Sequence, residues 1–567
     1  LARQRKRGRE VLEALGPDEL AMVVVSRPYN GADPGLNLGL PQKMAQLGVL
    51  ALPMDFLDLE SVVGGPQVGE MYWRYGQKIL SAGAIVRADP RLQAVYISNF
   101  GCGPDSFIEH FFNQVMEGKP YLQIEIDEHS ADVGAITRLE AFLDSLRNVT
   151  PPPPRAKAAP KRNAAAQGRV IYIPPMTDHS QAIAAAFAAC GVEAHVLPDS
   201  DARTLELGRR HTSGKECYPC ALTTGDLLKL LMDDPGAAER AAFFMPGGTG
   251  PCRFGQYHRY HRLVLDELGY DQVPIYSPDQ SEVFYQELSM AGGKDFVRLG
   301  WQGIVFIDLL QKALHEARPY EANSGDSDAV YQRQLAEVGQ AIRERRDLVE
   351  VMRAARAGFA AVPRSGRNHR PIVGVIGEIY TRANRFANED VVRMIEELGG
   401  EAWLPSIAEW VLYTNYTSAR RATVLGRYRH YLGTLIENYF QHKDQRVLGR
   451  PWVGGLRSLD EPHIHAVLKM AEPYLEPTYE GEAILSLGKS RDMHQRGAAG
   501  VINVIPFTCM PGTIVNALMK RFREDHGNLP FLPMAMDGQE QSGSRIRLEA
   551  FMHQVRQYRD QREAGGK

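Results

Sequence analysis

Long hydrophobic runs, net charge and cysteines are all scarce in this sequence of 567 residues. No apolar stretch approaches the ~20 residues that a membrane-spanning helix needs, and no secretory signal peptide is recognisable. The net charge of −3 gives no reason to expect binding to nucleic acid or to a membrane surface. Six cysteines are too few for a disulfide framework, so we expect a reducing, cytoplasmic compartment in which clustered cysteines serve metal or redox chemistry.

The common catalytic motifs are missing as well. The sequence has neither a Walker A loop nor a GxGxxG fingerprint, and it has no HExxH motif and no Ser-His-Asp arrangement. The glycine-rich stretch MPGGTGPC at 245–252 matches none of these motifs. Its glycines are better explained by a backbone that closely approaches a cofactor or a substrate.

The length is sufficient for about three or four domains. Residues 148–168 are rich in Pro, Ala and Lys and are predicted to form a linker. Residues 326–369 are predicted to form a long exposed helix followed by a second linker. These two segments divide the chain into three blocks, at 1–147, 169–325 and 370–567.

The first half of each block follows the same pattern. A short buried-type strand opens it, and a loop, an amphipathic helix and a second strand follow. The opening strands are AMVVVSRPY at 21–29, RVIYIPPM at 169–176 and PIVGVIGEIY at 371–380. This β-α-β order predicts an α/β fold of three Rossmann-like (flavodoxin-like) parallel-sheet lobes, pseudo-repeated around a central cofactor site.

The second half of each block also repeats. A strand leads into a loop cysteine, a helix follows, and the next strand ends in an aspartate. The loop cysteines are Cys102, Cys252 and Cys509, and the aspartates are Asp127, Asp279 and Asp537. The string RLEAF occurs in the first block at 138–142 and in the third at 547–551. We therefore predict that the three blocks are copies of one unit.

The loop cysteines are the candidate ligands. Each follows a strand and precedes a helix, at the sheet edge where ligands bind in α/β folds. Three lobes packed around one point would bring the three thiols together, and Cys217 or Cys220 of the sequence KECYPC would supply a fourth. Such a set suits an iron–sulfur cluster or a structural zinc ion, and ligands so far apart in sequence favour the cluster.

Alternatives remain for several residues. A local zinc site would use Cys217, Cys220, His258 and His261, and a redox-active disulfide would join Cys217 to Cys220. Cys190 ends an Ala-rich helix and is predicted to be a packed core thiol. Four loop residues are candidates for substrate binding, although exposed residues of these types are more often only solvated: Arg27, Tyr29, Arg382 and Asn384.

Several ordered motifs resemble one family. They are VVVSRPYNGADPGLNLGLPQKMAQLG, SNFGCGPDSF, KECYPCALTTGDLLKLL, GGTGPCRFGQYHRYHRLVLDELG, IGEIYTRANRFANEDVVRMIEELG and PFTCMPG. Together they are similar to the C-terminal half of large activase-related proteins, which are linked to 2-hydroxyacyl-CoA dehydratases and their ATP-dependent activators. In those proteins activase modules precede such a region. The chain starts at Leu1 rather than Met, so we expect a piece of a longer polypeptide or a processed end.

The resemblance implies a fold, a cofactor and a reaction. Dehydratase subunits have three Rossmann-like lobes around a cysteine-bound [4Fe-4S] cluster, and related proteins carry a double-cubane cluster. An activase of the acetate/sugar-kinase/actin type hydrolyses ATP and injects one low-potential electron, which makes a ketyl radical from a 2-hydroxyacyl-CoA before water leaves. The family's recurring cysteines correspond to Cys102, Cys217, Cys252 and Cys509. Cys220 is an additional thiol, and a double cubane would also need Cys190.

The resulting hypothesis is an iron–sulfur reductase or dehydratase component that is served by an ATP-dependent activase. Its cluster would be held by Cys102, Cys217, Cys252 and Cys509, and its substrate would be an acyl-CoA or a small reducible molecule. We also expect a homo-oligomer. The alternative is a non-catalytic scaffold or electron-relay subunit that carries an iron–sulfur cluster or zinc.

Overall fold

The computed structural model describes residues 2–62, 66–148, 168–248, 250–278, 293–365, 370–539 and 543–565. Asp279, residues 149–167 of the predicted first linker and residues 366–369 of the second lie outside these ranges. The chain folds into two compact units, Leu1–Lys161 and Arg162–Lys567. The second unit therefore contains both the second and the third predicted block.

The described residues form three four-stranded sheets, and every pairing within them is parallel. The strand orders are β2-β1-β3-β4, β6-β5-β7-β8 and β10-β9-β11-β12, so all three sheets have the same topology. The strands are β1 (Ala21–Ser26), β2 (Leu50–Pro53), β3 (Leu92–Asn99), β4 (Leu122–Ile126), β5 (Val170–Ile173), β6 (Ala194–Val196), β7 (Ala241–Phe244), β8 (Ile275–Tyr276), β9 (Ile372–Gly377), β10 (Glu401–Trp403), β11 (Ala498–Pro506) and β12 (Phe531–Met536). The predicted α/β class with three Rossmann-like lobes is confirmed.

Helices flank the sheet of the first unit. Its β1 strand is buried along its whole length, as expected for a parallel strand with helices on both faces. Val95 and Ile97 of β3 and Leu139 of the last helix belong to the same core cluster. The helices of this unit are Ala2–Ala14, Pro28–Ala32, Leu40–Gln46, Pro66–Gly69, Arg74–Ala88, Asp105–Met116 and Asp132–Asn148, with single 3₁₀ turns at Met54–Phe56 and Leu59–Ser61.

The described helices of the second unit connect two lobes, which we call the middle lobe (β5–β8) and the last lobe (β9–β12). In the middle lobe they are Ser180–Ala189, Ala202–Arg210, Tyr218–Asp233, Ala237–Arg240, Tyr257–Glu267, Gly293–Ala317, Asp326–Arg343 and Leu348–Ala360, with 3₁₀ turns at Arg253–Gln256 and Arg318–Tyr320. In the last lobe they are Ile379–Ala383, Val391–Glu397, Ile407–Val424, Tyr428–Gly449, Ile464–Ala471, Glu482–Gln495, Met510–Asp525 and Ser544–Gly565, with a 3₁₀ turn at Arg450–Trp452.

Two hydrophobic clusters hold these lobes together. Leu205, Tyr218 and Leu222 of the middle lobe pack in one cluster with Val375 and Phe551 of the last lobe. A second cluster contains side chains from Ser180–Ala189 and Gly293–Ala317 together with Leu412 and Trp452. Apolar area buried between the lobes is removed from water as in any core, which explains why they form one compact unit.

The segment 326–369 differs from its prediction. The sequence predicts one long exposed helix, whereas the structure has two, Asp326–Arg343 and Leu348–Ala360. Asp347 begins the second helix by accepting a hydrogen bond from the amide of Val349. The apolar faces are buried in the middle lobe, because the few apolar residues recur at helical spacing among many charged ones. No described helix is both long and apolar enough to cross a membrane.

Candidate functional site

The loop cysteines have equivalent positions in the three lobes. Cys102 follows β3, Cys252 follows β7 and Cys509 follows β11, so each lies beyond the carboxyl end of the third strand. Each sulfur accepts a hydrogen bond from a backbone amide two or three residues later: Asp105, Phe254 and Gly512, respectively. Amides at the start of a helical turn lack partners within the helix, so they are available to a sulfur. The predicted repeat thus extends to the local geometry of these loops.

The residue before the cysteine has an unusual backbone conformation in two lobes. Gly101 has φ +70°, and Thr508 in the last lobe has φ +60°. Glycine adopts this left-handed region readily, whereas a β-branched threonine does so at a cost. The conformation at Thr508 therefore has to be stabilised by its surroundings.

Arg253 provides that stabilisation and joins the two lobes of the second unit. Its guanidinium donates to the backbone oxygen of Lys215 (3.1 Å), to the backbone oxygen of Thr508 (3.1 Å) and to the Thr508 hydroxyl (3.2 Å). The loop before Cys217 and the loop before Cys509 are thus held by one buried side chain. Cys217, Cys252 and Cys509 all interact electrostatically with the guanidinium of Arg253, so three of the four predicted ligands lie around one buried charge.

These thiols are protonated in their present surroundings. Burial raises the pKa of Cys252 and of Cys509 well above the ordinary value, and the nearby Glu482 raises both further. Burial also raises the pKa of Cys217, whereas the positive charge of Arg253 lowers it. The Cys217 sulfur lies 2.5 Å from the hydroxyl oxygen of Tyr257. A bound cation or cluster would reverse this preference, because metal ligation requires the thiolate.

Cys220 lies deeper than Cys217. It occupies the first turn of the helix Tyr218–Asp233 and is completely inaccessible to solvent. Burial raises its pKa well above normal, and the charges of Cys217 and Glu216 raise it further. Both cysteines are thiols rather than partners in a disulfide in this structure. The positive charge of Arg253 favours the thiolate of Cys217 more strongly than that of Cys220. Cys217 is therefore the better candidate ligand of the pair.

Two glutamates near the cysteines were not identified from the sequence. Glu378 follows β9 and caps the helix Ile379–Ala383, because its carboxylate accepts hydrogen bonds from the backbone amides of Tyr380 and Thr381. Glu482 begins the helix Glu482–Gln495, where burial and the neighbouring Glu378 raise its pKa to about 8. Glu482 Oε2 is buried and has no hydrogen-bond partner in the structure as described. Glu378 directly follows β9, the first strand of the last lobe, and this position at the ligand-binding edge could have identified it from the sequence. No such signal marks Glu482.

The loop candidates of the last lobe have different roles. Arg382 is buried and lines a small cavity of about 10 Å³ together with Glu409, Trp410 and Glu482. Burial lowers the pKa of its guanidinium. Asn384 instead ties the last lobe to the middle one, since its side-chain amide donates to the backbone oxygen of Pro175 (2.9 Å). Arg382 therefore adjoins the cysteine site, and Asn384 is structural.

The first unit contains its own cysteine loop. Burial raises the pKa of the Cys102 thiol to about 11, and the charge of Asp105 raises it further. Arg27 donates from Nε to Asp105 Oδ1 (3.0 Å), which places one substrate-binding candidate beside the loop. Tyr29 hydrogen-bonds to Cys102, and burial is the main reason that its pKa rises to about 12.

The remaining predicted ligands occupy other surroundings. Cys190 lies at the end of the helix Ser180–Ala189 and packs against the middle-lobe core, as predicted. In the rival zinc set, His261 Nε2 lies 3.1 Å from the Thr223 hydroxyl oxygen. The described parts of the chain contain no group of three or more His, Cys, Asp or Glu side chains arranged to hold a metal ion.

Comparison with protein-family models gives a match at the start of the chain. Residues 1–57 match the family model described as the CoA enzyme activase uncharacterised domain. No curated protein matches the chain. The matched residues cover β1, the loop that follows it and β2, which include the motif VVVSRPYNGADPGLNLGLPQKMAQLG. The first 57 residues are thus similar to a CoA enzyme activase-related domain, in agreement with the resemblance that the sequence motifs suggest.

Proposed function

We propose that the protein is an iron–sulfur component of a CoA enzyme activase-related system. It would accept a low-potential electron from an ATP-dependent activase and act as a reductase or dehydratase component on an acyl-CoA or a small reducible molecule. The observation that carries this proposal is the convergence of Cys217, Cys252 and Cys509 around Arg253. Such loops, at the carboxyl edge of parallel sheets, are where α/β proteins bind cofactors.

The donor set fits an iron–sulfur cluster in its chemistry. Thiolates are the usual ligands of such clusters, and a thiolate-bound cluster is anionic. The backbone amides that point at Cys252 and Cys509 and the guanidinium of Arg253 supply the hydrogen bonds and positive charge that stabilise anionic sulfur. Cys217, Cys252 and Cys509 would hold the cluster, and Cys102 stays a prediction as fourth ligand that rests on the repeat and on the family resemblance alone.

The residues around the cysteines would favour the binding of an anionic cluster. A bound cluster supplies the one-electron chemistry. The raised pKa of Glu482 keeps this carboxyl largely neutral at pH 7, so it adds little negative charge beside the sulfurs. Burial of Cys217 and Cys509 excludes water, which protects a low-potential centre. Arg253 holds the loops of both lobes in place.

Metal analysis of single Cys→Ser variants tests the proposal. The anaerobically purified wild-type chain should contain iron and acid-labile sulfide and give an EPR signal after reduction. Cys217→Ser, Cys252→Ser and Cys509→Ser should each lose or convert this signal and lower the iron content at least twofold. Cys190→Ser is the control and should retain both.

Two results would contradict the proposal. Full iron content in Cys252→Ser or Cys509→Ser would exclude ligation by the converging cysteines. A wild-type protein that contains only zinc and is EPR-silent would favour the alternative of a zinc-bearing scaffold. Cys220→Ser separates the two KECYPC thiols: we expect it to keep the iron that Cys217→Ser loses.

A further inference from the structure

A helical hairpin of the last lobe presents a large apolar surface to solvent. The helices Ile407–Val424 and Tyr428–Gly449 run antiparallel, since Asn415 donates to Asn438 (2.9 Å) and Ser418 pairs with His430 (2.8 Å). Eight large hydrophobic side chains within 17 residues are 43–78% exposed. We call them the hairpin stripe: Val424, Leu425, Tyr428, Leu432, Leu435, Ile436, Tyr439 and Phe440.

The stripe has the spacing of a helix-packing seam. Tyr428, Leu432, Leu435 and Tyr439 recur at intervals of four, three and four residues, as apolar positions do along a coiled-coil interface. The opposite face of the same helix is already occupied, because Thr434 is buried and Asn438 bonds to the neighbouring helix. The seam is therefore a second, outward face with the geometry to receive another helix.

The size and charge of the stripe suit a second copy of this chain. The eight exposed faces amount to roughly 800–900 Å², which is the order of the about 800 Å² that each partner buries in a standard interface. Glu437 is the only charged residue between Tyr431 and Gln441, so two copies of the stripe meet without strong like-charge repulsion. An exposed apolar patch of this size is typical of an interaction site.

Charges at the tip of the hairpin favour one orientation, even though Glu480 lies 3.1 Å from Arg421 and offsets part of its charge. Four arginines surround the turn between the two helices: Arg420, Arg421, Arg427 and Arg429. A parallel arrangement would bring two such tips together, whereas an antiparallel arrangement places them at opposite ends of the interface. An isologous antiparallel contact also closes with two copies.

We propose that the hairpin stripe is the interface of an antiparallel homodimer, in which Tyr428–Gly449 of one protomer packs against the same helix of its partner. The interface lies on the last lobe and uses none of the cysteine loops. It is therefore independent of the proposed iron–sulfur function, and either proposal can fail without the other.

Light scattering and sedimentation of the full chain test this proposal. The wild type should have about twice the chain mass of 63.1 kDa at micromolar concentration. Leu432→Glu/Ile436→Glu should be monomeric, with unchanged circular dichroism and unchanged metal content. The control Val133→Glu/Ile546→Glu alters two equally exposed apolar residues elsewhere and should remain dimeric.

A mixing experiment makes the test specific. Leu432→Lys/Ile436→Lys should also be monomeric alone, and an equimolar mixture with the Glu variant should form heterodimers, because opposite charges then face each other. A wild type that is monomeric at all concentrations, or a dimeric Glu variant, would overturn the proposal. A monomeric wild type that binds a different helical protein through this stripe would also overturn it.

Discussion

At the residue scale, Arg253 is the most informative side chain of the site. It follows Cys252 directly in the sequence, yet its hydrogen bonds reach Thr508, 255 residues away. A guanidinium has several donors in a fixed planar arrangement, so it can bind two loops at once. The motif GPCRF suggested only a cysteine loop, whereas the tertiary structure makes its arginine the connection between two lobes.

Acid should weaken the fold through His261. Burial lowers the pKa of this histidine to about 3, whereas the unfolded chain has the ordinary value near ~6.5. As the pH falls from about 6.5 towards 3, the unfolded chain binds a proton that the folded chain does not, so the free energy of unfolding decreases. This group alone contributes about 1.4 kcal/mol per pH unit within that window.

Urea unfolding at pH 7.5, 6.0 and 5.0 measures this effect. His261→Gln should show a smaller loss of stability between pH 6.0 and 5.0 than the wild type. His129→Gln alters an exposed histidine and is the control. Equal pH slopes for His261→Gln and the wild type would contradict the prediction.

At the element scale, two glycines allow the helix that carries Cys220 to pack closely. A Cβ atom at Gly225 would lie 1.8 Å from the backbone oxygen of Thr204, and one at Gly208 would lie 1.9 Å from that of Ala221. The helices Ala202–Arg210 and Tyr218–Asp233 therefore cross at backbone contact. The glycines were visible in the sequence, but their partners were not.

Gly225→Ala should separate these helices. We expect a loss of about 1–3 kcal/mol in the free energy of unfolding, because a well-packed crossing has no space for the methyl group. The start of the Tyr218–Asp233 helix should move with it, so thiol reagents should label Cys217 and Cys220 faster. Gly339→Ala is the matched control, since nothing lies within 4 Å of its Cβ position, and it should be neutral or slightly stabilising. Unchanged stability and labelling in Gly225→Ala would contradict this packing.

Buried charges hold the helix that begins at Glu482. Lys489 on this helix donates to Glu461 (2.7 Å) and to Asp492 (3.0 Å), and Glu461 also accepts from Lys312 of the middle lobe (2.5 Å). Burial alone would lower the pKa of Lys489, but the surrounding carboxylates raise it. Charged residues at these positions look like an exposed helix face in the sequence, and only the fold shows that they are paired in the interior.

At the scale of the whole molecule, the middle and last lobes should unfold together. They share the cluster that contains Phe551, Leu205 and Tyr218, whereas the first unit has a core of its own. Phe551→Ala should cost about 3–5 kcal/mol, because it leaves a cavity in this shared cluster. Hydrogen exchange followed by mass spectrometry should show faster exchange in both the middle and the last lobe.

Peptides of the first unit are the internal reference in that experiment, and their exchange should not change. Phe112 is fully buried in the first unit. Phe112→Ala should therefore speed exchange in the first unit and leave exchange in the middle and last lobes unchanged. Faster exchange confined to the last lobe in Phe551→Ala would show that the middle lobe is stable without it.

Local sequence patterns were sufficient for the three sheets and for the positions of their loop cysteines. A buried parallel strand needs a short continuous apolar run, and a helix needs apolar residues at its own period, so AMVVVS, AAFF and AAGVINVIP can be recognised without their neighbours. Cys102, Cys252 and Cys509 follow from these strands. The two helices within 326–369 and the burial of their apolar faces were missed because the many charged residues of this segment suggested an exposed surface.

Tertiary structure alone decided how the second and third repeats combine. The contact of Arg253 with Thr508, the burial of Glu482 and Arg382 near the cysteines, and the shared cluster around Phe551 join residues that are far apart in the chain. No local pattern encodes such contacts, because they depend on the shapes and charges of two complete surfaces. The repeat predicted where each cysteine lies in its own lobe, and the packing of the lobes placed Cys217, Cys252 and Cys509 within range of the charge of Arg253.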